Sequence, residues 1–169
     1  MPLKADILGM IHEYPDYFEV GRENVRQFAR SIKTNDPASF DEAAAAELGH
    51  AAIVAPPTFA SILALQVQKD FFMNVDVGVE TMQIVQVDQR FLFHRPIMVG
   101  DKLTAWLEVT SVDHRFGADI VTTHNMCRTL EGELVMEAWT TLMGHEGDNS
   151  ISAKWDPETG QVVRTAATE

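Results

Sequence analysis

Beyond Gly78 the spacing of apolar residues switches from about 3.6 to 2, the difference between one face of a helix and one face of a strand. Before the switch, Phe59, Ile62, Leu63, Val67 and Phe71 recur at three- and four-residue intervals, and Ala60 and Leu65 add apolar character on the opposite side. This predicts one long helix over Thr58 to Phe72, apolar nearly all round and therefore buried. After the switch come four alternating runs: Thr81 to His94, Lys102 to Asp113, Ala118 to Leu130 and Glu133 to Met143. In the first, Val85, Val87, Gln89, Phe91 and Phe93 share a face; in the second, Leu103, Ala105, Leu107 and Val109 do. Such alternation belongs to antiparallel strands with one buried face. The turns RFGA and LEGE supply Gly117 and Gly132 for positive backbone angles. The fold class expected is α+β, an antiparallel sheet folded around one long apolar helix.

Upstream, Tyr17 to Val20 is a short strand candidate. Gly21 separates it from a helix over Arg22 to Ile32 with Val25, Phe28, Ala29 and Ile32 on its apolar face. The polar stretch KTNDPASF, Lys33 to Phe40, follows. Ser39 stands three residues before Glu42, the spacing of a capping box for the helix FDEAAAAEL, and Gly49 sits where that helix would stop. After Gly144 the chain becomes polar, with a turn at Asp156 to Gly160. Trp155, Val162 and Val163 suggest that this tail packs onto something. The expected division is a single domain over 1–145 and a C-terminal tail over 146–169.

With 169 residues, 46% of them apolar, the chain can bury a sizeable core in one domain. A single cysteine, Cys127, excludes an internal disulfide framework, and MPLKADILGMIHEYPDYF lacks the basic start and apolar run of a signal peptide; both favour the cytoplasm. The uncharged stretch from Ala51 to Gln68 is broken by Pro56 and Pro57 and is amphipathic after them, so it predicts a buried helix and not a membrane span. A net charge of −12 opposes nucleic acid and would repel an acidic carrier protein. Arg22, Arg26, Arg30 and Lys33 form the local exception, a basic stripe at helical spacing that is either a solvated face or a dock for an acidic partner. No zinc set, phosphate-cradling glycine loop or dinucleotide fingerprint is present, so no metal or cofactor is expected.

A helix followed by long antiparallel strands is the order of the hotdog fold, and the run NDPASFDEAAAAELGHAAIVAPPTFASILA resembles the active-site segment of the MaoC-like, R-specific hydratases. In that family the pattern is Asp, any residue, Asn, Pro, an aliphatic and His, then a helix and a His-Gly pair before the central helix. More closely, YPDYFEVGRE, VDVGVETMQIVQVDQRF, GDKL and KWDPETGQV resemble the non-catalytic subunits of mycobacterial (3R)-hydroxyacyl-ACP dehydratases, over nearly the whole chain. The resemblance implies a double-hotdog heterodimer with a catalytic hotdog subunit, acting on acyl-ACP in type II fatty acid elongation.

Dehydrating a 3-hydroxyacyl thioester requires a base for the proton on C2, an acid for the departing hydroxyl and donors at the thioester oxygen. Aligning the family's Asn-Pro with Asp36-Pro37 puts Thr34 at the catalytic Asp position and Ser39 at the catalytic His position. It also puts Pro56-Pro57 in place of His-Gly, removing one backbone N–H. No catalytic residue is therefore expected in this chain. Its implied role is to line the substrate channel, with Phe40, Phe59, Leu63, Val67 and Phe71 as wall candidates and Thr58 near the mouth, while the carrier docks mainly on the partner. Each of the five apolar residues also has a plain reading as core. Two alternatives remain open: a self-sufficient hydratase using Asp36 and His50, and a homodimeric acyl-binding module.

Overall fold

The computed structural model describes residues 6–77, 82–146, 151–156 and 161–166. Its elements in chain order are β1 (Ile11–Glu13), β2 (Phe18–Glu19), α1 (Arg22–Ser31), α2 (Glu42–Glu47), α3 (Ala60–Asn74), β3 (Met82–Phe93), β4 (Lys102–Arg115), β5 (Ala118–Thr129), β6 (Leu134–Glu146), β7 (Ile151–Asp156) and β8 (Gln161–Ala166). Short 3-10 turns at Pro37–Ser39 and Pro57–Phe59 precede α2 and α3.

The sheet runs β1-β4-β5-β6-β3, with β2 also paired to β4, and β7 pairs with β8 in a separate two-stranded sheet. All these pairings are antiparallel. Long strands joined by tight turns make this register local and firm. Phe116 and Gly117 both have positive φ, as a two-residue type I′ connection between β4 and β5 requires. The glycine was expected there. The phenylalanine beside it, fully exposed at 101%, was not.

Leu103, Ala105, Leu107 and Val109 point inward as their alternation predicts, each no more than 5% exposed. The face assigned to β3 needs correction. Gln86 pairs with Leu142 but Asp88 with Thr141, so Val87 is the extra residue of a bulge. The bulge inverts the parity: Gln89, Phe91 and Phe93 remain on the inner side, whereas Val85 and Val87 are 53% and 49% exposed. Alternation in sequence cannot show a bulge, because the inserted residue leaves the apolar pattern unbroken.

Phe59, Ala60, Leu63, Val67 and Phe71 form the buried row of α3 against the sheet, with exposures of 1–3%. Ala60 thus joins this row and does not lie opposite it. Leu65 does lie opposite, and it is 68% exposed, so the helix is not covered all round in the single chain. Phe59 is the junction of three elements, meeting Phe28 of α1 edge-on at 5.4 Å and Phe18 of β2 at 6.0 Å. Such aromatic pairs add about 0.5–1.5 kcal/mol beyond the area they bury. Val25 and Ala29 seat α1, but Ile32 is its C-cap and is 45% exposed, not part of the buried face.

β1 was not expected, being three residues long. It is held to β4 by pairing and to α3 by His12, whose Nε2 lies 2.7 Å from Asp70 Oδ2. In the tail, β7 and β8 run antiparallel with Trp155 opposite Val162. The turn expected at Asp156 to Gly160 falls mostly on 157–160, outside the described residues, as do the side chains of Trp155 and Val162. Among the described residues no helix is long and apolar enough to cross a membrane.

Candidate functional site

The loop Lys33 to Phe40 is built by its own backbone. α1 ends with Thr34 N donating to Ala29 O and Lys33 N to Arg30 O, 3.1 and 3.0 Å, while Lys33 takes a φ of 57°. This is the Schellman arrangement, with lysine where glycine is usual. Thr34 Oγ1 then accepts from Asp36 N at 3.2 Å, and Asp36 Oδ1 accepts from Ala38 N at 3.0 Å, capping the 3-10 turn that Pro37 begins. Asp36 is therefore a turn-forming residue whose carboxylate is committed locally.

Ser39 is 1% exposed and donates its hydroxyl to the Val54 carbonyl at 2.8 Å, while Val54 N donates to Ala38 O at 3.0 Å. Two hydrogen bonds thus clamp the loop to the segment leading into α3. The capping box expected at Ser39 and Glu42 does not form. Asp41 is the cap of α2, its Oδ1 accepting from Ala44 N at 3.0 Å. Gly49 ends α2 as expected, with φ of 85°.

The far side of the loop is braced in turn. Ala55 N donates to Ile97 O at 2.8 Å and Val99 N to Ile53 O at 2.9 Å. The 95–101 turn is held by Asp101, which accepts from Met98 N at 2.8 Å and from both terminal nitrogens of Arg95 at 2.8 and 3.0 Å. That fork raises the Arg95 pKa.

Pro56 is buried and Pro57 opens the 3-10 turn, so neither can offer an N–H at the head of α3. Phe59 N is already bonded to Pro56 O at 2.8 Å. His50 lies beyond Gly49, half-buried; no ion pair or hydrogen bond joins it to Asp36. Cys127 is no substitute nucleophile: it is 1% exposed, and burial pushes its thiol up to about 12. Among the described residues no cluster of His, Cys, Asp and Glu is able to hold a metal.

Of the wall candidates, Phe59, Leu63 and Val67 are packed into the core, Phe40 is half-buried and Thr58 is exposed. Phe71 borders a small, partly open cleft between the C-terminal part of α3 and the sheet. Gln68, Phe72, Ile84, Val121 and Leu142 line it too. It lies well away from the loop: Thr58 to Phe71 spans roughly 20 Å at 1.5 Å per helical residue. These further residues come from four elements, and spacing within any one of them gives no sign that they meet.

On the basic stripe, Glu42 accepts from Arg22 Nε at 2.7 Å, and Glu23 accepts from Arg22 and Arg26 at 2.9 Å each. These contacts raise the Arg22 pKa and lower those of Glu23 and Glu42. Two of the four cations are thus locally neutralised, leaving Arg30 and Lys33 exposed.

A family model described as the FAS1-like, dehydratase domain region matches residues 8–138. A UPF0336 protein of Mycobacterium tuberculosis (strain ATCC 25618 / H37Rv) is 64% identical over 166 residues, 98% of this chain and 100% of its own length. Among solved structures, a crystal structure of a C-terminally truncated HadBC (3R-hydroxyacyl-ACP dehydratase) complex from Mycobacterium tuberculosis is 63% identical with a TM-score of 0.79, covering 84% of this chain and 100% of that chain. A MaoC-like dehydratase is 36% identical with a TM-score of 0.77, covering 85% of this chain and 43% of that one.

Proposed function

The chain belongs to the FAS1-like dehydratase domain region family and has the hotdog fold of its dehydratase relatives, and on that premise we propose that it is the non-catalytic, substrate-channel subunit of a heterodimeric (3R)-hydroxyacyl-ACP dehydratase. The observation that carries this reading is the Ser39 hydroxyl, buried and bonded to the Val54 carbonyl where a catalytic imidazole would have to stand. A serine hydroxyl does not exchange protons usefully near neutral pH, and Thr34 at the aspartate position is no better. The partner subunit then brings Asp and His, and turnover takes place at its own loop.

What this chain contributes is surface. In the single chain the Leu65 side of α3 and the β3 edge with Val85 and Val87 are exposed and apolar. Those are the features by which one hotdog joins another, helices side by side and sheets edge to edge. Phe40, Thr58 and Phe71 stand as the channel residues of this reading, with Phe59, Leu63 and Val67, packed in the core, backing that wall from within. Each methylene buried along such a wall contributes about 0.8 kcal/mol, so a long acyl chain gains most from it. The substrate class that follows is long 3-hydroxyacyl thioesters, taken to trans-2-enoyl thioesters in the elongation of mycolic acid precursors.

With two arginines of the stripe already paired and a net charge of −12, an acidic acyl carrier docks mainly on the partner. Residues 1–145 form the pairing domain and 146–169 an appendage to it, and the complex works in the cytoplasm. Hydration of a long trans-2-enoyl thioester, followed by loss of ultraviolet absorbance, tests the proposal. We expect no turnover from this chain alone and turnover on co-expression with a hotdog protein carrying the intact Asp and His. Turnover by the purified chain alone would overturn it.

A further inference from the structure

On the side of the sheet away from α3, the strand register builds one row across four strands. Arg90 of β3 lies opposite Trp139 of β6, Trp139 opposite His124 of β5, and His124 opposite Glu108 of β4. The row is rigid. Arg90 sits over the Trp139 ring at 4.8 Å, and the His124 ring stacks on Trp139 at 4.7 Å with 6° between their planes. Arg90 is exposed and Glu108 half-buried, and among the described residues neither has an ion-pair partner. One row further along, Leu92 of β3 and Trp106 of β4 occupy the two ends, with Glu137 and Met126 between them. Leu92 is 40% exposed. A row that runs cation, aromatic, aromatic, anion is complementary to itself when turned end for end.

We propose that a second copy of this chain docks on this face, back to back, about a two-fold axis that runs along the strands between β5 and β6. That operation keeps the strand direction and reverses the row. Arg90 of each copy then meets Glu108 of the other, Trp139 meets His124, and Leu92 meets Trp106. Sheets packed face to face lie about 10 Å apart with their strands within about 30° of alignment, the arrangement such an axis generates. Four strands of 12 to 14 residues offer a face of about 40 by 19 Å. That matches one side of a standard interface, about 800 Å². A net charge of −12 opposes self-association in general, so the contact has to be carried by local pairs of opposite sign around an aromatic centre, and the row provides them. α3 lies on the other side of the sheet, so this contact and pairing with a catalytic subunit are made together, joining two heterodimers through this chain.

The test is sedimentation velocity of the complex co-expressed with the catalytic hotdog subunit, over a range of concentrations. The wild type should sediment as two copies of each subunit. Arg90→Glu and Glu108→Arg each set like charges against one another, and each should weaken that association about tenfold or more while leaving the single heterodimer intact. Combining the two substitutions in one chain exchanges the charges and should recover most of the association, a result that damage to the fold cannot produce. A wild-type complex that stays a single heterodimer at every concentration, single reversals that associate like the wild type, or a double variant no better than the singles would each overturn the docking while leaving the scaffold role standing. If no heterodimer forms, the scaffold reading fails, and the same four chains sedimented alone decide the contact by whether the double variant recovers what the singles lose.

Discussion

At position 39 a hydroxyl does the work of a clamp. Removing it by Ser39→Ala leaves the Val54 carbonyl without that donor in a buried setting, and the expected cost is about 1–3 kcal/mol, read as a lower urea midpoint of the isolated chain. An unchanged midpoint would mean that the loop is held by the Val54-to-Ala38 backbone bond alone. At this scale the sequence was most informative about what is missing, since a threonine, a serine and a proline at family positions are visible without coordinates. It was least informative about what replaces the missing groups. The Ser39 to Val54 bond joins residues 15 apart, and the same serine read locally suggests a helix cap, a role that Asp41 takes because the 3-10 turn carries the chain two residues further before α2 begins.

Among elements, α3 carries most of the argument. Its period was legible, and so were four of the five members of its buried row. Its exposed side was not, because an all-round apolar helix looks the same whether its outer face is covered by its own chain or by a partner. Leu65→Asp places a charge on that face at small cost to the monomer, within about 0.5 kcal/mol for a surface site. We expect the variant to remain folded by circular dichroism and to lose co-elution with the catalytic subunit; retained co-elution would place the pairing surface elsewhere.

The sheet has a second cross-strand feature that no local pattern announces. Glu137 of β6 accepts at its two oxygens from His94 and His124, both at 2.9 Å, and His124 stacks on Trp139 at 4.7 Å. The His94 bond first, and His124 after it, holds the Glu137 carboxyl below its ordinary value near 4.5. A depressed carboxyl stabilises the fold above the unfolded value, and that stability is lost as pH falls through the lower, folded one. The urea midpoint of the wild type should therefore drop more steeply below about pH 4.5 than that of Glu137→Gln. Parallel curves for the two would show that the pair of imidazoles contributes nothing to acid stability.

For the whole molecule, the switch of apolar period near residue 78 sufficed to define a helix wrapped by an antiparallel sheet, and the long motifs sufficed for the family. The cleft beyond Gln68 was not legible, because six segments of the chain converge on it. Charge acts at this scale too: at −12, with half of its basic stripe already paired, this chain offers little to an acidic partner. The central claim is that this chain supplies no catalytic group. Its most direct test compares two versions of the heterodimer by kcat/KM on a long trans-2-enoyl thioester. One carries Asp36→Ala and His50→Ala in this chain; the other lacks the partner's catalytic histidine. General acid and base groups each contribute about 10²–10⁴-fold. The account predicts near-wild-type rates for the first and a loss of that order for the second; a collapse of the first with survival of the second would contradict it.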